Sequence, residues 1–532
     1  MVKSVFFGLI LFCILSIWSL ITPLFEFPDE QAHVESVEFL ATHGRMPAGL
    51  QLDMTPEMAQ TQKYLGVYRD KFGNNLVTYH PEYRVEYTSS YIGKYEEEIH
   101  NLKDDRSTYV SQEAARYPRL YYDYIGIWYR AVQSSDIFVR TFAMRLGNVV
   151  LAGLTAAVIY AMGITLFASR RRAMLLTVLV MLQPMYSFLS AGVNSDNLHN
   201  LLFTLSIYCG LLIVKQGASP RLLLGAGLVA LLDMFTKPQG YLVLPVLLLA
   251  VLLRIIRNRH WGLLTVLIGL GILAGITIAS PLNPYRSWIL TENIKGASLL
   301  EFLRFSVNKL ITQNIVWYWG VFKWLGVVLP PIYWQVANRV AVAGVVGLLF
   351  YAWKAWKHKK LVVPPLITTY LLLVAIFYAA AIYYFDWQYT KTVGYSIGVQ
   401  ARYLFPTISA HMAILMIGIL SLGWTKKLTV WLERGLLIFI VWMQLGGIWR
   451  LITSYYDVSS FQVFVTQVSQ YKPWFAKGDW WYLWICGYII SIFYLVWTTF
   501  TVRDEIGVDE KTNSPTKSAH PLSRSHSQRK SR

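Results

Sequence analysis

Cysteine is nearly absent from this chain: three residues in 532, Cys13, Cys209 and Cys486, each inside an apolar run. Three such thiols exclude a disulfide framework and a thiolate metal site, and they read as packing residues. No Cys or His cluster has zinc-ligand spacing, no glycine-rich phosphate loop follows a strand-like run, and there is no nucleophile elbow. The usual soluble-enzyme sites are therefore missing. No repeat with a period of about 20 to 50 residues is visible, which sets aside solenoids and propellers. Acidic residues are scarce, 30 against 48 lysines and arginines, for a net charge of +18.

The chain has hydrophobicity instead. Hydrophobic residues make up 55% of it, and its mean hydropathy is +0.41. Runs of about 20 apolar residues alternate with charged clusters, the pattern of an all-α polytopic membrane protein. The expected spans are 4–24, 142–168, 173–192, 198–214, 221–236, 240–256, 262–281, 336–353, 361–385, 403–423, 434–452 and 480–500, about twelve transmembrane helices. Lys3 and its apolar run resemble a signal peptide, but no small-residue cleavage site follows and the run is long enough to span. An uncleaved first helix is expected.

The clusters Arg170-Arg171-Arg172, Lys215 with Arg221, Arg254/Arg257/Arg259, Lys354/Lys357/Lys359/Lys360 and Lys426/Lys427 fall in alternate short loops. Positive loops stay cytoplasmic, so both termini are expected inside. Residues 25–140 carry 18 acidic and 12 basic residues, a net of −6 that leaves +24 for the remainder. The basic excess thus reports topology and contact with anionic lipid, and nucleic acid is not needed to explain it. The expected organisation is a multi-pass domain over 1–502, with a large extracytoplasmic first loop at 25–140 and a second external or re-entrant region at 282–335. A Ser-rich cytoplasmic tail at 503–532, without apolar period, is expected to be disordered.

The stretch Phe27-Pro28-Asp29-Glu30-Gln31-Ala32-His33 organises the rest. Pro28 excludes helical geometry at Phe27, so the first membrane helix must end by there. A new helix then carries Asp29 and Glu30 in its first turn, beside the positive end of its dipole, and places His33 on their face. The helix should run to His43, with Gly44 stopping it, Val34, Val37 and Ala41 inward and Glu35 and Glu38 outward. Two carboxylates and an imidazole meet at a membrane edge. They either cap a surface helix or form a reactive site.

Other polar stretches point to the same side. The run Arg116 to Tyr124, which includes Tyr121 and Tyr122, is either an interfacial anchor or the lining of a headgroup or sugar site. Pro184 should kink the third span, whose end delivers Asn194 and Asp196 to the surface that holds Asp29. Lys237, before Pro238-Gln239-Gly240, and Arg402, within Gln400-Ala401-Arg402-Tyr403, lie outside, where topology does not ask for a cation. They either anchor at the interface or hold a phosphate. Leu299 to Thr312 reads as an amphipathic helix, and 316–332 as an interfacial stretch or a short membrane hairpin.

In this order, Pro28-Asp29-Glu30 with His33, the helix to Gly44 and Pro47, Pro118-Arg119-Leu120-Tyr121-Tyr122, Asn194-Ser195-Asp196, Lys237-Pro238 and Gln400-Ala401-Arg402-Tyr403 resemble the bacterial membrane family called domain of unknown function 2142. The resemblance covers roughly residues 4–450. Ala401 departs from an expected glycine, which a right-handed backbone tolerates. That family is similar in layout to the GT-C glycosyltransferases, which include protein mannosyltransferases and the lipid A aminoarabinose transferase. The resemblance implies a bacterial plasma-membrane enzyme that moves a sugar from a polyprenyl-phosphate carrier to an envelope glycan, lipid or protein acceptor on the outer side.

Such chemistry needs one carboxylate to take the acceptor's proton and cations to hold the departing phosphate. Asp29 is the candidate base, with Glu30 as the alternative, and Arg402 and Lys237 are the phosphate holders. His33, Tyr121, Tyr122, Asn194, Asp196, Gln400 and Tyr403 are candidate substrate-binding residues. No cofactor is required. If a metal takes part, Mg²⁺ or Mn²⁺ on Asp29, His33 and Asp196 fits the donor types. Two other readings stand beside this one: a transporter or flippase of lipid-linked sugars, and a non-catalytic envelope-assembly protein with the first loop as docking surface.

Overall fold

The computed structural model describes residues 2–46, 55–68, 75–102, 117–259, 265 and 292–502. The expected span 262–281, the tail 503–532, Pro47, Arg116 and parts of both external regions lie outside them. The described residues form a helical membrane bundle in which eight helices are long and apolar enough to cross a membrane, or nine if a bent pair counts as one span.

Eleven of the twelve expected spans coincide with a helix or helix pair. They are α1 (Val2–Ile21), α5 (Ile137–Phe167), the pair α6 (Arg170–Met181) and α7 (Pro184–Ser190), α8 (Asp196–Gln216), α9 (Pro220–Met234), α10 (Val243–Asn258), α12 (Pro331–Trp356), α13 (Pro365–Val393), α14 (Ile408–Ser421), α15 (Lys426–Tyr455) and α17 (Trp480–Thr501). The bend between α6 and α7 is 72°, at Pro184. Pro184 has no N–H to continue the first helix, and Gln183 caps the second by accepting from the Tyr186 N–H.

One end of the bundle is covered by polar segments from distant parts of the chain. The helix α2 (Glu30–His43) ends at Gly44 with φ 69°, a left-handed closure that glycine adopts without a side-chain clash. It packs against α4 (Leu120–Ala131), while α3 (Pro56–Tyr64) lies nearby. Glu35 and Glu38 depart from the expectation and are buried, not outward. The reason is long-range: Glu35 accepts from the Thr55 N–H at 3.2 Å, and Glu38 lies 3.3 Å from Arg140, which also pairs with Glu57. A 3.6-residue period cannot report cover supplied by another loop.

The connection between α15 and α17, including α16 (Phe461–Val468), completes the cap. Glu96 accepts from Lys477 Nζ at 2.7 Å and from the Gly93 N–H at 2.9 Å, and Gln470 bridges the backbone of Thr88 and Ser90. The segment 316–332 forms no helical membrane hairpin. It holds a two-stranded antiparallel hairpin, β1 (Val321–Phe322) and β2 (Val327–Val328), with Val321 opposite Val328. Before it, the amphipathic stretch appears as α11 (Leu299–Lys309).

Candidate functional site

Asp29 caps α2 in an unusual way. Its backbone is left-handed (φ 61°), and its side chain makes no capping bond. An N-cap residue is normally extended with its carboxylate folded back onto the helix. Asp tolerates the left-handed region better than most residues, and the carboxylate is freed to face outward. It accepts from Arg402 Nη2 at 2.9 Å, with the Asp29 side chain 34% exposed and Arg402 at 7%. Arg402 has two further nitrogens, Nε and Nη1, that are buried without a hydrogen-bond partner. A buried guanidinium with two idle donor nitrogens beside a half-open carboxylate is the most reactive feature of the cluster.

Around this pair the expected residues gather. Asn194 Nδ2 donates to the Pro28 carbonyl at 3.1 Å, and Asn194 Oδ1 accepts from the Asp196 N–H at 2.9 Å. Asp196 pairs with Lys237, whose ammonium lies 5.6 Å from the centre of the Tyr117 ring. Burial works against the Lys237 ammonium, but the Asp196 carboxylate outweighs it and holds its pKa above the ordinary lysine value. Tyr403 lies under the Arg402 guanidinium at 5.3 Å. Ala401 has no positive φ, so its methyl costs nothing there.

His33 sits behind the charged pairs. Its Nδ1 is 2.9 Å from the Tyr122 hydroxyl, and its ring stacks on Tyr117 and Tyr122 at 5.9 Å each. Burial lowers its pKa to about 4, against Asp29 and Asp196, which raise it, and with Lys237 and Arg402, which lower it. The imidazole is therefore neutral at pH 7. Because the folded pKa lies below the unfolded one, neutral His33 contributes stability that is fully present above about pH 6.5 and is lost as the pH falls through about 4. The stability difference between wild type and His33→Gln should narrow by about 2 kcal/mol between about pH 7.5 and pH 4.5 in unfolding measurements in detergent. A constant difference would show that His33 does not titrate in this way.

Glu30 takes a different place. It is fully buried, receives Arg145 Nε at 2.8 Å and Nη2 at 2.6 Å, and accepts the Phe25 and Val193 N–H groups at 3.0 and 3.2 Å. Arg145 also donates to the Ser19, Thr22 and Pro23 carbonyls. This carboxylate closes the end of α1 onto α5 and faces no open space. Glu30→Gln leaves the Arg145 charge without its counter-ion and should cost about 3–5 kcal/mol of stability; an unfolding transition equal to wild type would remove this role.

Tyr121 also lies behind the site, fully buried, its hydroxyl donating to Asn148 Oδ1 at 3.0 Å. Gln400 precedes Arg402 on the same turn, and its Oε1 is buried without a partner. Each candidate metal-ligating carboxylate, Asp29 and Asp196, is paired with a cationic side chain. Among the described residues no three His, Cys, Asp or Glu side chains are arranged to hold a metal ion.

Sequence reasoning missed Arg145, Asn148, Tyr117 as a site residue, and the pair His199–Asp233, whose Nδ1 and Oδ1 are 2.8 Å apart one turn below Asp196 and Lys237. Arg145 and Asp233 both interrupt apolar runs, and an ionisable residue in such a run is a signal in itself. Gly192 is needed for close approach, because a Cβ there meets the Phe27 ring at 2.3 Å.

The family model described as "Predicted membrane protein (DUF2142)" matches residues 12–410. No curated protein matches the sequence. Among solved structures, the crystal structure of ArnT from Cupriavidus metallidurans bound to undecaprenyl phosphate is similar with a TM-score of 0.40 and 13% identity, over 94% of this chain and 77% of that one.

Proposed function

We propose, from the premise that the chain belongs to the DUF2142 family of membrane proteins, that it is a membrane glycosyltransferase. It transfers a sugar from a polyprenyl-phosphate donor to a cell-envelope acceptor at the outer face of the bacterial plasma membrane. The observation that carries this reading is the Asp29–Arg402 pair: a half-open carboxylate whose buried partner keeps two nitrogens unpaired. That arrangement suits a base next to an anion holder.

In the proposed step the acceptor hydroxyl oxygen attacks the anomeric carbon and its proton passes to Asp29. The bond from that carbon to the phosphate oxygen breaks, and the polyprenyl phosphate leaves with the electron pair. Arg402 receives the phosphate on one edge of its guanidinium, an unpaired nitrogen beside the second Nη2 hydrogen, and Lys237 turns from Asp196 to share it. These two cations supply the charge that a divalent ion brings in other phosphate sites. Neutral His33 and Tyr122 form the wall beside the base, and Tyr117 and Tyr403 offer ring faces to a sugar.

The test is transfer by the purified protein in lipid, with a panel of polyprenyl-phosphate sugars and envelope acceptors. A new glycosidic bond supports the reading. Labelled carrier crossing the bilayer without such a bond replaces it with lipid-linked sugar transport. The cluster lies at one end of the bundle, whereas transporters place such groups near the midplane between paired broken helices.

A further inference from the structure

Nine non-glycine residues among those described have positive φ, and five lie in two segments that touch each other. One segment is Phe25–Asp29, with Phe25 at 62° and Asp29 at 61°. The other is the tip of the β1–β2 hairpin, where Lys323, Trp324 and Leu325 take 52°, 51° and 65° in succession. Ala168 and Arg259, by contrast, are ordinary helix C-caps. Consecutive left-handed residues with side chains persist only where their surroundings hold them, and such strain concentrates at working sites.

The contacts that hold the tip are specific. Trp324 Nε1 donates to the Phe25 carbonyl at 3.1 Å. Lys323 is fully buried, and its ammonium donates to the carbonyls of Tyr83 and Ser454, the latter at 2.9 Å, 5.0 Å from the centre of the Tyr455 ring. Tyr455 donates to Glu26 Oε2 at 3.1 Å, so Lys323, the Tyr455 ring and Glu26 form one chain of contacts. The other side of the turn is fixed by Phe25 N–H on Glu30 and by Pro28 O on Asn194. Asp29 therefore stands on a strained turn gripped from two sides, and the hairpin supplies one of them.

We infer that Lys323 is a positioning residue: the hairpin tip, through Lys323 on Tyr455, which holds Glu26, and through Trp324 on the Phe25 carbonyl, clamps the Phe25–Glu30 turn so that the Asp29 carboxylate meets Arg402. The functional part of this inference rests on Asp29 acting as the base, while the clamp itself does not. A clamp of this kind acts on the chemical step, not on substrate affinity, because it touches no substrate.

The test is hydrogen–deuterium exchange of the full chain in lipid, read on peptides that cover residues 25–33, together with sugar transfer from the donor panel above. Lys323→Met is expected to accelerate exchange of this turn at least about tenfold, with exchange in α5 and α8 unchanged, and Lys323→Arg to restore protection. Trp324→Phe keeps an aromatic ring but loses the indole N–H that the Phe25 carbonyl accepts, and is expected to loosen the same peptides. Glu26→Gln combined with Lys323→Met should exchange no faster than Lys323→Met alone, as for members of one chain of contacts through Tyr455. In transfer, kcat of Lys323→Met should fall roughly 10- to 100-fold with KM within about threefold. Unchanged exchange of the turn, additive effects in the double variant, or acceleration spread through the whole bundle overturns the clamp. A KM effect without a kcat effect overturns its catalytic role. Wild type without transfer activity removes the functional reading, and the exchange result still decides the clamp.

Discussion

Asp29→Asn is expected to lower sugar transfer by about 10²- to 10⁴-fold, the range for removal of a general base, with expression and membrane insertion unchanged. Asn has the shape of Asp and shares its tolerance for the left-handed backbone, so the φ of 61° at this position adds little strain. The amide oxygen still accepts from Arg402 Nη2, where the carboxylate now lies at 2.9 Å. What disappears is the negative charge that takes a proton. The measurement is transfer from a polyprenyl-phosphate sugar by matched amounts of wild type and variant in lipid. Output equal to wild type removes Asp29 from the mechanism. A loss accompanied by a large drop in unfolding stability points instead to a structural role, since an Asp that is 34% exposed and paired at a rim contributes little to stability.

The contrast with Glu30 shows what a sequence can say about this site. Pro28, the acids after it and Gly44 are local signals, and they place the turn, the helix and its end, because capping and proline geometry act within a few residues. The apolar runs place the membrane helices for the same reason. Which of two adjacent carboxylates faces Arg402 and which is sealed against Arg145 is decided by partners 373 and 115 residues away. Helical spacing makes Asp29, Glu30 and His33 neighbours, but the left-handed cap turns Asp29 away from the helix while Glu30 points into the junction of α1 and α5. The burial of Glu35 and Glu38 and the union of Glu96 with Lys477 were hidden in the same way, as loop-to-loop contacts without period. Asn194, Asp196, Lys237 and Arg402 were each legible as polar residues where apolar ones prevail. Their pairing, Asp196 with Lys237 and Asp29 with Arg402, follows only from the packing of α8, α9 and the turn before α14.

Arg402→Ala is expected to cost about 10²- to 10⁴-fold in kcat/KM, from two charge-assisted hydrogen bonds to phosphate at about 1.5–3 kcal/mol each. Nε and Nη1 are buried and unpaired, and Asp29 takes one of the two Nη2 hydrogens. The Asp29 bond fixes the guanidinium plane, and the second Nη2 hydrogen with the Nε or Nη1 beside it forms the edge that presents two donors to a pair of phosphate oxygens. Arg402→Lys should recover little, because a single ammonium cannot hold Asp29 and offer a planar pair of donors at once. Removal of the arginine takes the Nη2 bond from Asp29, but that carboxylate is 34% exposed and keeps contact with water, so the fold should lose only about 1 kcal/mol or less. The decisive measurement is binding of polyprenyl phosphate itself, which separates the anion site from the base. Asp29→Asn should bind this product about as tightly as wild type, while Arg402→Ala and Arg402→Lys should bind it at least about tenfold more weakly. If Arg402→Ala binds it as wild type does, the phosphate is held elsewhere, and Lys237, freed from Asp196, becomes the cation to replace next.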